Sequence, residues 1–425
     1  MPPTVYQVQS RGIYHGLPVF PPEIRGLTAV VTGSSGISGQ DMIRALAASP
    51  ERWSKIYCLS RRPPAVLPPQ AEFVPLDFLQ PPEKITEALQ KHGVNKVDYV
   101  FFYSYIQLPS DPEKGLWSDA EGMCKINLEL LSNFLSALKL GQLLPRRVML
   151  QTGAKAYGTH IGPAPVPQEE TDARIPIEPN FYYVQEDYLY SWCAENNVGW
   201  NTIRPAAILG AVPDAAMNLC FPIAVYAAVC RKLGQPLEYP ADLNAWETPQ
   251  DKSSSLLNGY LAEWAVLSEH TPNETFNASD GSAFTWGKFW PRLADKFGVK
   301  WKTPVLDDSA YTVTYSSATK IPRGFGPPKI TRRRFTLAQW AKKPEVRQAW
   351  RELAEEHGLI EKELRDEDRI FGFADNTLAN HVRTAFNMDK VRRMGFFGTV
   401  ATAECMFEVF EDLAKLKMVP PIEKV

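Results

Sequence analysis

A lysine and a tyrosine stand in this chain where they could assist the transfer of a proton. Lys155 ends the segment Gln151–Lys155, and Tyr182 lies in the segment Asn180–Asp187. A tyrosine hydroxyl near an ammonium group can stabilise negative charge on a carbonyl oxygen. Oxidoreductases with a nucleotide-binding βαβ unit commonly carry Tyr-x-x-x-Lys, but no tyrosine of this chain has a lysine four residues later. Lys155 and Tyr182 are candidates for a catalytic pair in the reverse order along the chain, and the alternatives are a surface lysine and a core tyrosine.

A glycine-rich turn near the N-terminus predicts a dinucleotide site. It follows the β-branched run 27–32 and precedes a segment with helical spacing of apolar residues. In such turns the first glycine permits a tight bend, the second lets the backbone approach a pyrophosphate, and the third packs helix on strand. The helix N-terminus then offers N–H groups to the phosphates. The turn residues predicted to bind the cofactor are Gly33, Ser35, Gly36, Ile37 and Gly39.

The end of the second predicted strand favours NADP(H) over NAD(H). An acidic residue usually follows this strand when the ribose 2′-hydroxyl is free, whereas here the chain reads Ser60-Arg61-Arg62, which suits a 2′-phosphate. An exposed basic loop is the alternative. Asp77, after the third strand, is placed to accept a hydrogen bond from the adenine or to cap a turn. Ser60, Arg61, Arg62 and Asp77 thus join the predicted cofactor site, together with Phe78, Tyr103, Ser104, Thr152, Gly153, Pro205, Ala207 and Ile208.

The rhythm of strands and helices predicts an α/β fold with a doubly wound parallel sheet of the Rossmann type. The predicted strands are 27–32, 55–59, 72–76, 97–103, 147–150, 199–203 and 275–277. The predicted helices are 41–48, 127–140, 182–195, 217–233, 256–268, 286–297, 337–357, 378–386 and 401–416. Residues 303–334 are predicted to be a loop whose arginines 332–334 are solvated, and no strand is expected after residue 330.

The domain organisation follows from a change of pattern after about residue 210, where alternating strands and helices give way mostly to helices. Residues 1–25 are predicted to be an irregular lead-in. Residues 26–215 are predicted to form the NADP-binding core, completed by parts of 245–280. Residues 216–244 and 281–425 are predicted to form a mostly helical cap over the substrate. The residues predicted to line an apolar substrate pocket are Tyr157, Met217, Phe221, Trp246, Phe371 and Phe373.

Composition narrows the classes of partner. The chain has 425 residues, a net charge of −2 and six cysteines without metal-ligand spacing, so we expect no nucleic-acid partner, no metal site and reduced thiols in a cytoplasmic protein. Residues 1–25 lack the apolar core of a signal peptide. The longest apolar run, Leu219–Cys230, is interrupted by Pro222 and is shorter than the roughly 20 residues that a membrane-spanning helix needs.

Taken together, these motifs resemble the progesterone 5β-reductase/iridoid synthase-like (PRISE-type) enzymes, an atypical branch of the extended short-chain dehydrogenases/reductases. The resemblance covers most of residues 26–415, and the chain looks more like a fungal relative than a plant one. It differs at Ala156, where the family commonly has histidine. The matching stretches are Gly33–Gly39, Ser60–Pro63, Phe73–Asp77, Gln151–Lys155, Asn180–Asp187, Arg204-Pro205, Met217–Cys230, Glu274–Trp290, Phe373–Asp375 and Met388–Phe396.

The resemblance implies the function. In that family the positions of Lys155 and Tyr182 supply the catalytic pair, and the reaction is the 1,4-reduction of an enone or enal. We therefore expect an NADPH-dependent reductase of activated C=C bonds in a small apolar carbonyl compound of terpenoid, steroid-like or polyketide type. The alternatives are a carbonyl reductase or sugar-nucleotide epimerase, a cyclase or isomerase without net redox, and a regulator that binds NADP without turnover. A homodimer is compatible with the sequence.

Overall fold

The computed structural model describes residues 6–109, 118–161, 164–214, 217–315 and 330–422. The strands are β1 (Val8–Arg11), β2 (Tyr14–Pro18), β3 (Leu27–Thr32), β4 (Trp53–Ser60), β5 (Ala71–Pro75), β6 (Tyr99–Phe102), β7 (Arg147–Gln151), β8 (Gly199–Pro205), β9 (Ala207–Leu209), β10 (Leu237–Glu238), β11 (Lys252–Ser254), β12 (Glu274–Ala278), β13 (Trp301–Lys302), β14 (Thr312–Tyr315) and β15 (Ile330–Arg333). The helices are α1 (Ile37–Ala47), α2 (Pro82–Lys91), α3 (Ala120–Leu140), α4 (Phe181–Asn196), α5 (Cys220–Lys232), α6 (Leu243–Glu247), α7 (Ser255–Leu267), α8 (Trp286–Phe297), α9 (Leu337–Ala341), α10 (Pro344–Glu356), α11 (Glu367–Leu378), α12 (Asp389–Arg393) and α13 (Thr402–Lys415).

The predicted doubly wound parallel sheet is confirmed. Seven parallel strands lie in the order β12-β8-β7-β6-β3-β4-β5. The order reverses between β3 and β6, so the carboxyl ends of these two strands form the crevice where such sheets bind ligands. All residues of β3 and β6 are buried, as expected for strands covered by helices on both faces. The turn 33–39 therefore stands at the switch point of the sheet.

Side chains on the two faces of the sheet belong to two apolar clusters. Val30 of β3 faces a smaller cluster formed with side chains of α2, α3 and α4. Phe134 of α3 and Leu189 of α4 belong to this cluster. Ala29 and Val31 face a larger cluster that includes Met42 of α1. Alternate residues of a strand point to opposite faces, which explains this division.

The larger cluster continues from the sheet into the C-terminal helices. Phe289 of α8, Trp350 of α10 and Phe410 of α13 are buried in the same cluster as the side chains of α1 and α7. In addition, β11 pairs with β9 and β12 pairs with β8, so residues after 245 extend the parallel strands of the core. The division into core and cap stays a prediction, because both regions share one apolar interior.

The expectation of an irregular lead-in is wrong for the residues that the structure describes. β1 and β2 form an antiparallel hairpin, and Gly12 takes a φ of +57° at its turn. The Tyr14 hydroxyl donates to Glu408 at 2.8 Å, and the His15 amide donates to the Thr399 carbonyl at 3.0 Å. Residues 1–5 lie outside the described residues. The hairpin is held by the C-terminal part of the chain, which no local pattern could reveal.

The predicted loop 303–334 is also wrong in part. β14 pairs with β15 in an antiparallel arrangement, and residues 316–329 between them lie outside the described residues. The arginines of this stretch are not solvated as a group. Arg334 pairs with Glu238 at 3.0 Å, and Arg333 donates to the Asn376 side chain at 2.8 Å. Acidic and amide partners on other elements thus hold the strand that the sequence did not indicate.

Two helical assignments in the C-terminal region need correction. The predicted helix 337–357 is two helices, α9 and α10, because Pro344 lacks the N–H that a continuous helix would require. The predicted helix 378–386 is wrong, since α11 ends at Leu378. The segment after it pairs instead with distant backbone, through the amide of Gln168 to the Ala385 carbonyl at 2.8 Å. Helix α2 was not predicted.

None of the helices among the described residues combines the length and apolar character required to cross a membrane.

Candidate active site

The glycine turn is shaped by close approach of the backbone to neighbouring strands. Gly33 has a φ of +62°, and a Cβ there would lie 2.8 Å from the Tyr103 carbonyl carbon and oxygen. A Cβ at Gly39 would lie 2.3 Å from the Gly33 carbonyl oxygen. Gly36 donates its amide to the same carbonyl at 2.9 Å. Only glycine fits at 33 and 39, so the cradle at the end of β3 forms as the sequence predicts.

The N-terminus of α1 opens at this cradle. Gly36 is its N-cap residue and no side chain caps the helix. Ser35, Gly36 and Ile37 are half-buried. The first N–H groups of a helix have no partner within the helix and carry partial positive charge, so an uncapped end suits a phosphate. The turn and α1 thus fit the pyrophosphate of a dinucleotide.

The end of β4 is tied to the turn by serine hydroxyls. Ser60 Oγ lies 2.6 Å from Ser34 Oγ and donates to the Arg62 carbonyl at 2.6 Å. The Arg61 and Arg62 side chains are exposed, and Arg62 pairs with Asp214 at 3.1 Å. Burial by itself would raise the pKa of Asp214, but Arg369 and Arg62 together lower it. An anion that binds Arg62 therefore competes with a carboxylate that is already in place.

The segment directly after β5 forms a turn and shows no obvious contact to a ligand. Asp77 Oδ1 accepts the Leu79 amide at 3.0 Å, which is the turn-capping alternative considered for this residue. The Phe78 ring packs against Phe102 and Phe134 in the core, with centroids 6.2 and 5.1 Å away. Any contact of Phe78 with a cofactor would therefore come from its backbone.

At the ends of β6 and β7 the backbone meets the glycine turn. The amides of Tyr103 and Ser104 donate to Thr32 Oγ1 at 3.1 and 3.3 Å. Thr152 is buried, and its Oγ1 has no hydrogen-bond partner among the described residues. A buried hydroxyl left unpaired costs about 1–3 kcal/mol, so it is expected to find a partner in the working protein. Thr152 Oγ1 fits a polar group of a bound ligand.

The structure places the Tyr182 hydroxyl at the edge of the same crevice. A Cβ added to Gly153 would lie 3.2 Å from Tyr182 Oη and 3.5 Å from the Pro205 carbonyl oxygen. Burial raises the pKa of Tyr182, and the nearby Glu186 carboxylate raises it further. The hydroxyl therefore keeps its proton at neutral pH and can donate a hydrogen bond. Tyr182, Gly153 and Pro205 are brought together as predicted.

Asn180 connects the two predicted catalytic residues. Its Oδ1 accepts the Tyr182 amide at 3.1 Å as the N-cap of α4, and its Nδ2 donates to the Lys155 carbonyl at 3.1 Å. Lys155 lies in a short 3₁₀ turn, Ala154–Tyr157, directly after β7. One buried amide thus fixes the relative position of the lysine turn and the tyrosine helix.

The ammonium group of Lys155 is buried among polar side chains. Its Nζ lies 2.8 Å from His160 Nε2 and 3.5 Å from Glu178 Oε1. Burial lowers the pKa of Lys155, and Glu178 partly offsets this. The sequence analysis did not identify His160 or Glu178, because nothing in the spacing of a lone histidine and a lone glutamate shows that they meet a lysine.

A buried ion pair holds α4 against the sheet. Glu186, one turn after Tyr182, accepts from Arg204 of β8 at 2.9 and 3.2 Å. Its side chain is 1% exposed and that of Arg204 is 9% exposed. The segments Asn180–Asp187 and Arg204-Pro205 were both singled out in the sequence, but their pairing was not predicted. This contact fixes the helix that carries Tyr182.

Five of the six predicted substrate-pocket residues, all except Met217, lie in the larger apolar cluster or pack against it. The Tyr157 hydroxyl donates to Asn277 Oδ1 at 2.5 Å, and its ring packs edge-on against Phe386. Trp246 packs edge-on against the buried Tyr239 and also stacks on the exposed Trp301. The remaining four positions are Met217 before α5, Phe221 on α5, and Phe371 and Phe373 on α11. Phe221 and Phe371 are buried, whereas Met217 and Phe373 are half-buried. Tyr157 and Trp246 thus have core partners, and a pocket role for all six residues stays a prediction.

Comparison with known proteins places the chain among related sequences. A family model described as a PRISE-like Rossmann-fold domain matches residues 29–317. An uncharacterized protein of Schizosaccharomyces pombe is 30% identical over 411 residues, which cover 93% of this chain and 98% of that protein. The 3-oxo-Delta(4,5)-steroid 5-beta-reductase of Arabidopsis thaliana is 28% identical over 402 residues, with 92% and 93% covered. The (S)-8-oxocitronellyl enol synthase of Catharanthus roseus is 25% identical over 402 residues, with 92% of each chain covered.

Proposed function

The chain belongs to the family of PRISE-like Rossmann-fold proteins, and we propose that it is an NADPH-dependent reductase of carbon–carbon double bonds conjugated to a carbonyl group. The observation that carries the proposal is the Tyr182 hydroxyl. It keeps its proton and lies beside Gly153 and Pro205 at the carboxyl edge of the sheet. There it can donate to a substrate oxygen next to a cofactor that enters the crevice at the switch point.

The residues of the crevice fit a dinucleotide. Gly33 and Gly39 leave room that a Cβ would fill, and no side chain caps α1. These groups would hold the pyrophosphate, Thr152 Oγ1 would bond a polar group of the ligand, and Arg61 and Arg62 would take the 2′-phosphate. When bound, a reduced nicotinamide cofactor supplies the hydride for the reaction.

The protein's own contribution is to stabilise charge on the substrate. When a β-carbon gains a hydride, negative charge develops on the carbonyl oxygen of the enone. The Tyr182 hydroxyl donates a hydrogen bond to that oxygen, and Lys155, held by Asn180, adds positive charge when it is protonated. A preorganised donor in a dry site contributes about 3–4 kcal/mol to lowering the barrier. The α-carbon then takes its proton from water.

The names of the relatives support this substrate class. The Arabidopsis relative is named for a 3-oxo-Δ4,5 steroid, which contains a carbonyl conjugated to a double bond. The Catharanthus relative is named an enol synthase, and an enol is the protonated form of the enolate that the proposed reaction produces. We accordingly propose a small apolar enone or enal of terpenoid, steroid-like or polyketide type as the substrate.

The position of a transferred label tests the reaction. With NADPH deuterated at the nicotinamide C4 and a panel of enones, enals and saturated ketones, we expect deuterium on the β-carbon and an intact carbonyl group. Mass spectrometry and NMR of the products give the position directly. Deuterium on the carbonyl carbon would make the protein a ketoreductase. No transfer to any activated alkene, with NADPH still bound, would favour a cyclase or isomerase without net redox.

Cofactor preference is the second expected result. Replacing Arg61 and Arg62 together with alanine should weaken NADPH binding by about 1–3 kcal/mol, because charge-assisted hydrogen bonds to the 2′-phosphate are lost. NADH binding should hardly change, since NADH lacks that phosphate. Fluorescence titration of the reduced cofactors measures both affinities.

Two further variants test whether the change in affinity is specific to Arg61 and Arg62. Arg25→Ala removes an exposed arginine outside the crevice and should leave both affinities unchanged. Asp214→Asn releases Arg62 from its ion pair and should strengthen NADPH binding. Equal affinity of the unmodified protein for NADPH and NADH would overturn the assignment of the arginines.

A further inference from the structure

Three ionisable side chains meet around the buried amine of Lys155. Its Nζ lies 2.8 Å from His160 Nε2, and the same Nε2 lies 2.6 Å from Glu178 Oε1. The distance from Lys155 Nζ to Glu178 Oε1 is 3.5 Å. The side chains are 3% exposed for Lys155, 13% for His160 and 19% for Glu178. Exposure therefore rises from the lysine, through the histidine, to the glutamate.

His160 Nε2 lies within hydrogen-bonding distance of both Lys155 and Glu178, but one nitrogen cannot accept a hydrogen bond from one of them and donate to the other at the same time. If His160 Nε2 carries a proton, it donates to Glu178, and Lys155 then meets an N–H group instead of a lone pair. If Nε2 carries no proton, it can accept from the Lys155 ammonium, and Glu178 then has that ammonium, 3.5 Å away, as its partner in this group. The position of the imidazole proton thus changes the hydrogen bonds of all three groups, which therefore form one coupled unit.

The outer end of this unit opens on a groove between α3 and α4. The groove has a volume of about 490 Å³, and Glu178, Asn180 and Tyr183 line one side of it. Glu121, Cys124 and Lys125 of α3 line the other side. Glu178 lines this groove and is 19% exposed, so water in the groove can reach its carboxylate. Lys155 is thereby linked to solvent through His160 and Glu178.

We propose that His160 and Glu178 are positioning residues for Lys155, and that they exchange its proton with water in the groove between α3 and α4. The proposal rests on the proposed function, in which Lys155 supports Tyr182. The proton that Lys155 loses passes to His160 Nε2, the imidazole passes a proton to Glu178, and the carboxyl group releases it to water. The reverse sequence restores the ammonium group, so no electrons and no co-reactant are required.

The charges around Lys155 agree with this arrangement. Burial lowers the pKa of Lys155, whereas Glu178 and, more weakly, Cys124 of α3 raise it. Burial also lowers the pKa of His160, Glu178 raises it, and Lys155 lowers it. Burial raises the pKa of the Cys124 thiol, so this thiol stays neutral near pH 7. Glu178 is therefore a negative charge that favours the protonated form of Lys155.

The direction of the expected effect follows. Glu178→Gln removes the negative charge and lowers the pKa of Lys155 further, so the ammonium form is lost at lower pH. The alkaline limb of the kcat profile should move down by about 1 pH unit, the effect of losing one close opposite charge. His160→Gln should slow the exchange of the Lys155 proton with water and leave kcat at neutral pH nearly unchanged, because Lys155 keeps its proton throughout the proposed reaction. The KM for NADPH should not change in either variant.

A matched variant separates this effect from a general change of the groove. Glu121→Gln removes another carboxylate that lines the same groove. Glu121 lies on α3 and is not among the groups that shift the pKa of Lys155, so this variant should leave the pH profile unchanged. Glu178→Asp keeps the charge on a shorter side chain and should restore most of the alkaline limb. An alkaline limb that stays in place in Glu178→Gln, or that moves equally in Glu121→Gln, would overturn the proposal.

A readout that needs no turnover keeps the test independent of the proposed function. Trace labelling of amines with acetic anhydride across pH, followed by peptide mass spectrometry, gives the pKa of Lys155 in the folded protein. We expect a lower Lys155 pKa in Glu178→Gln than in the unmodified protein or in Glu121→Gln. That shift in a protein that reduces no enone would support the coupled unit while the reductase function failed. An unchanged Lys155 pKa would overturn the coupled unit even in an active reductase.

Discussion

Replacing Tyr182 with phenylalanine is expected to lower kcat by about 10²–10³-fold, the effect of removing one oxyanion donor. In the proposed reaction the hydroxyl stabilises charge that exists mainly in the transition state, so the loss should appear in the rate and not in the affinity for NADPH. The aromatic ring stays in place, with its centroid 4.4 Å from that of Phe181. Single-turnover rates with a reactive enone, together with NADPH titration, measure both quantities.

Tyr183→Phe is the matched control, because the two tyrosines are adjacent on α4. The Tyr183 hydroxyl donates to the Ala156 carbonyl at 2.6 Å and accepts the Ile175 amide at 3.1 Å. It therefore has structural partners, and its loss should reduce the free energy of unfolding by about 1–3 kcal/mol with a smaller effect on the rate. If Tyr183→Phe abolished turnover and Tyr182→Phe did not, the assignment of the catalytic hydroxyl would be wrong.

Replacing Arg204 with methionine is expected to reduce the free energy of unfolding by about 3–5 kcal/mol, because it leaves the buried Glu186 carboxylate without its main partner. Glu186 is 1% exposed. Arg174 also contacts this carboxylate at 3.2 Å, but its side chain is 39% exposed, so water screens that interaction more strongly. Urea-induced unfolding followed by circular dichroism measures the change.

Two comparisons separate the buried charge from the lost packing. The double variant Arg204→Met with Glu186→Met removes both charges and should recover much of the stability, as is found when a buried ion pair is replaced by apolar side chains. Lys84→Met removes one partner of an exposed pair with Glu87 and should change stability by less than about 1 kcal/mol. A loss below about 1 kcal/mol in Arg204→Met itself would show that the pair does not hold α4 in place.

The parts of the fold that the sequence predicted are those with a strong local pattern. Helix α8 has the predicted bounds, because Thr285 caps its N-terminus and its apolar residues follow helical spacing. The buried strands β3 and β6 were visible as apolar runs. The β1–β2 hairpin and the β14–β15 pair were missed, since their strands are short and their partners, such as Glu408 and Glu238, are far away in the chain.

In the candidate site, too, residues that belong to a local motif could be predicted, and contacts between distant elements could not. The glycines of the turn could be predicted because each meets a steric demand of a known local motif. Glu186 and Arg204 could not be paired in advance, since the contact depends on how α4 packs on β8. Aromatic character alone did not separate pocket from core either. Tyr157 and Trp246 were predicted as pocket walls, and both have partners within the apolar cluster, Phe386 and Tyr239 respectively.

The continuous apolar cluster that joins the sheet to the C-terminal helices limits how this protein can be re-engineered. A fragment ending after β12 would leave the α1 and α7 face of the sheet without Phe289, Trp350 and Phe410. Apolar surface uncovered in this way promotes aggregation. Exchanging all the C-terminal helices between relatives would also disturb this shared apolar cluster, because packed interiors tolerate little change in shape. To alter the substrate range, we therefore expect single side-chain substitutions to work best, with the sheet and the C-terminal helices taken from the same protein.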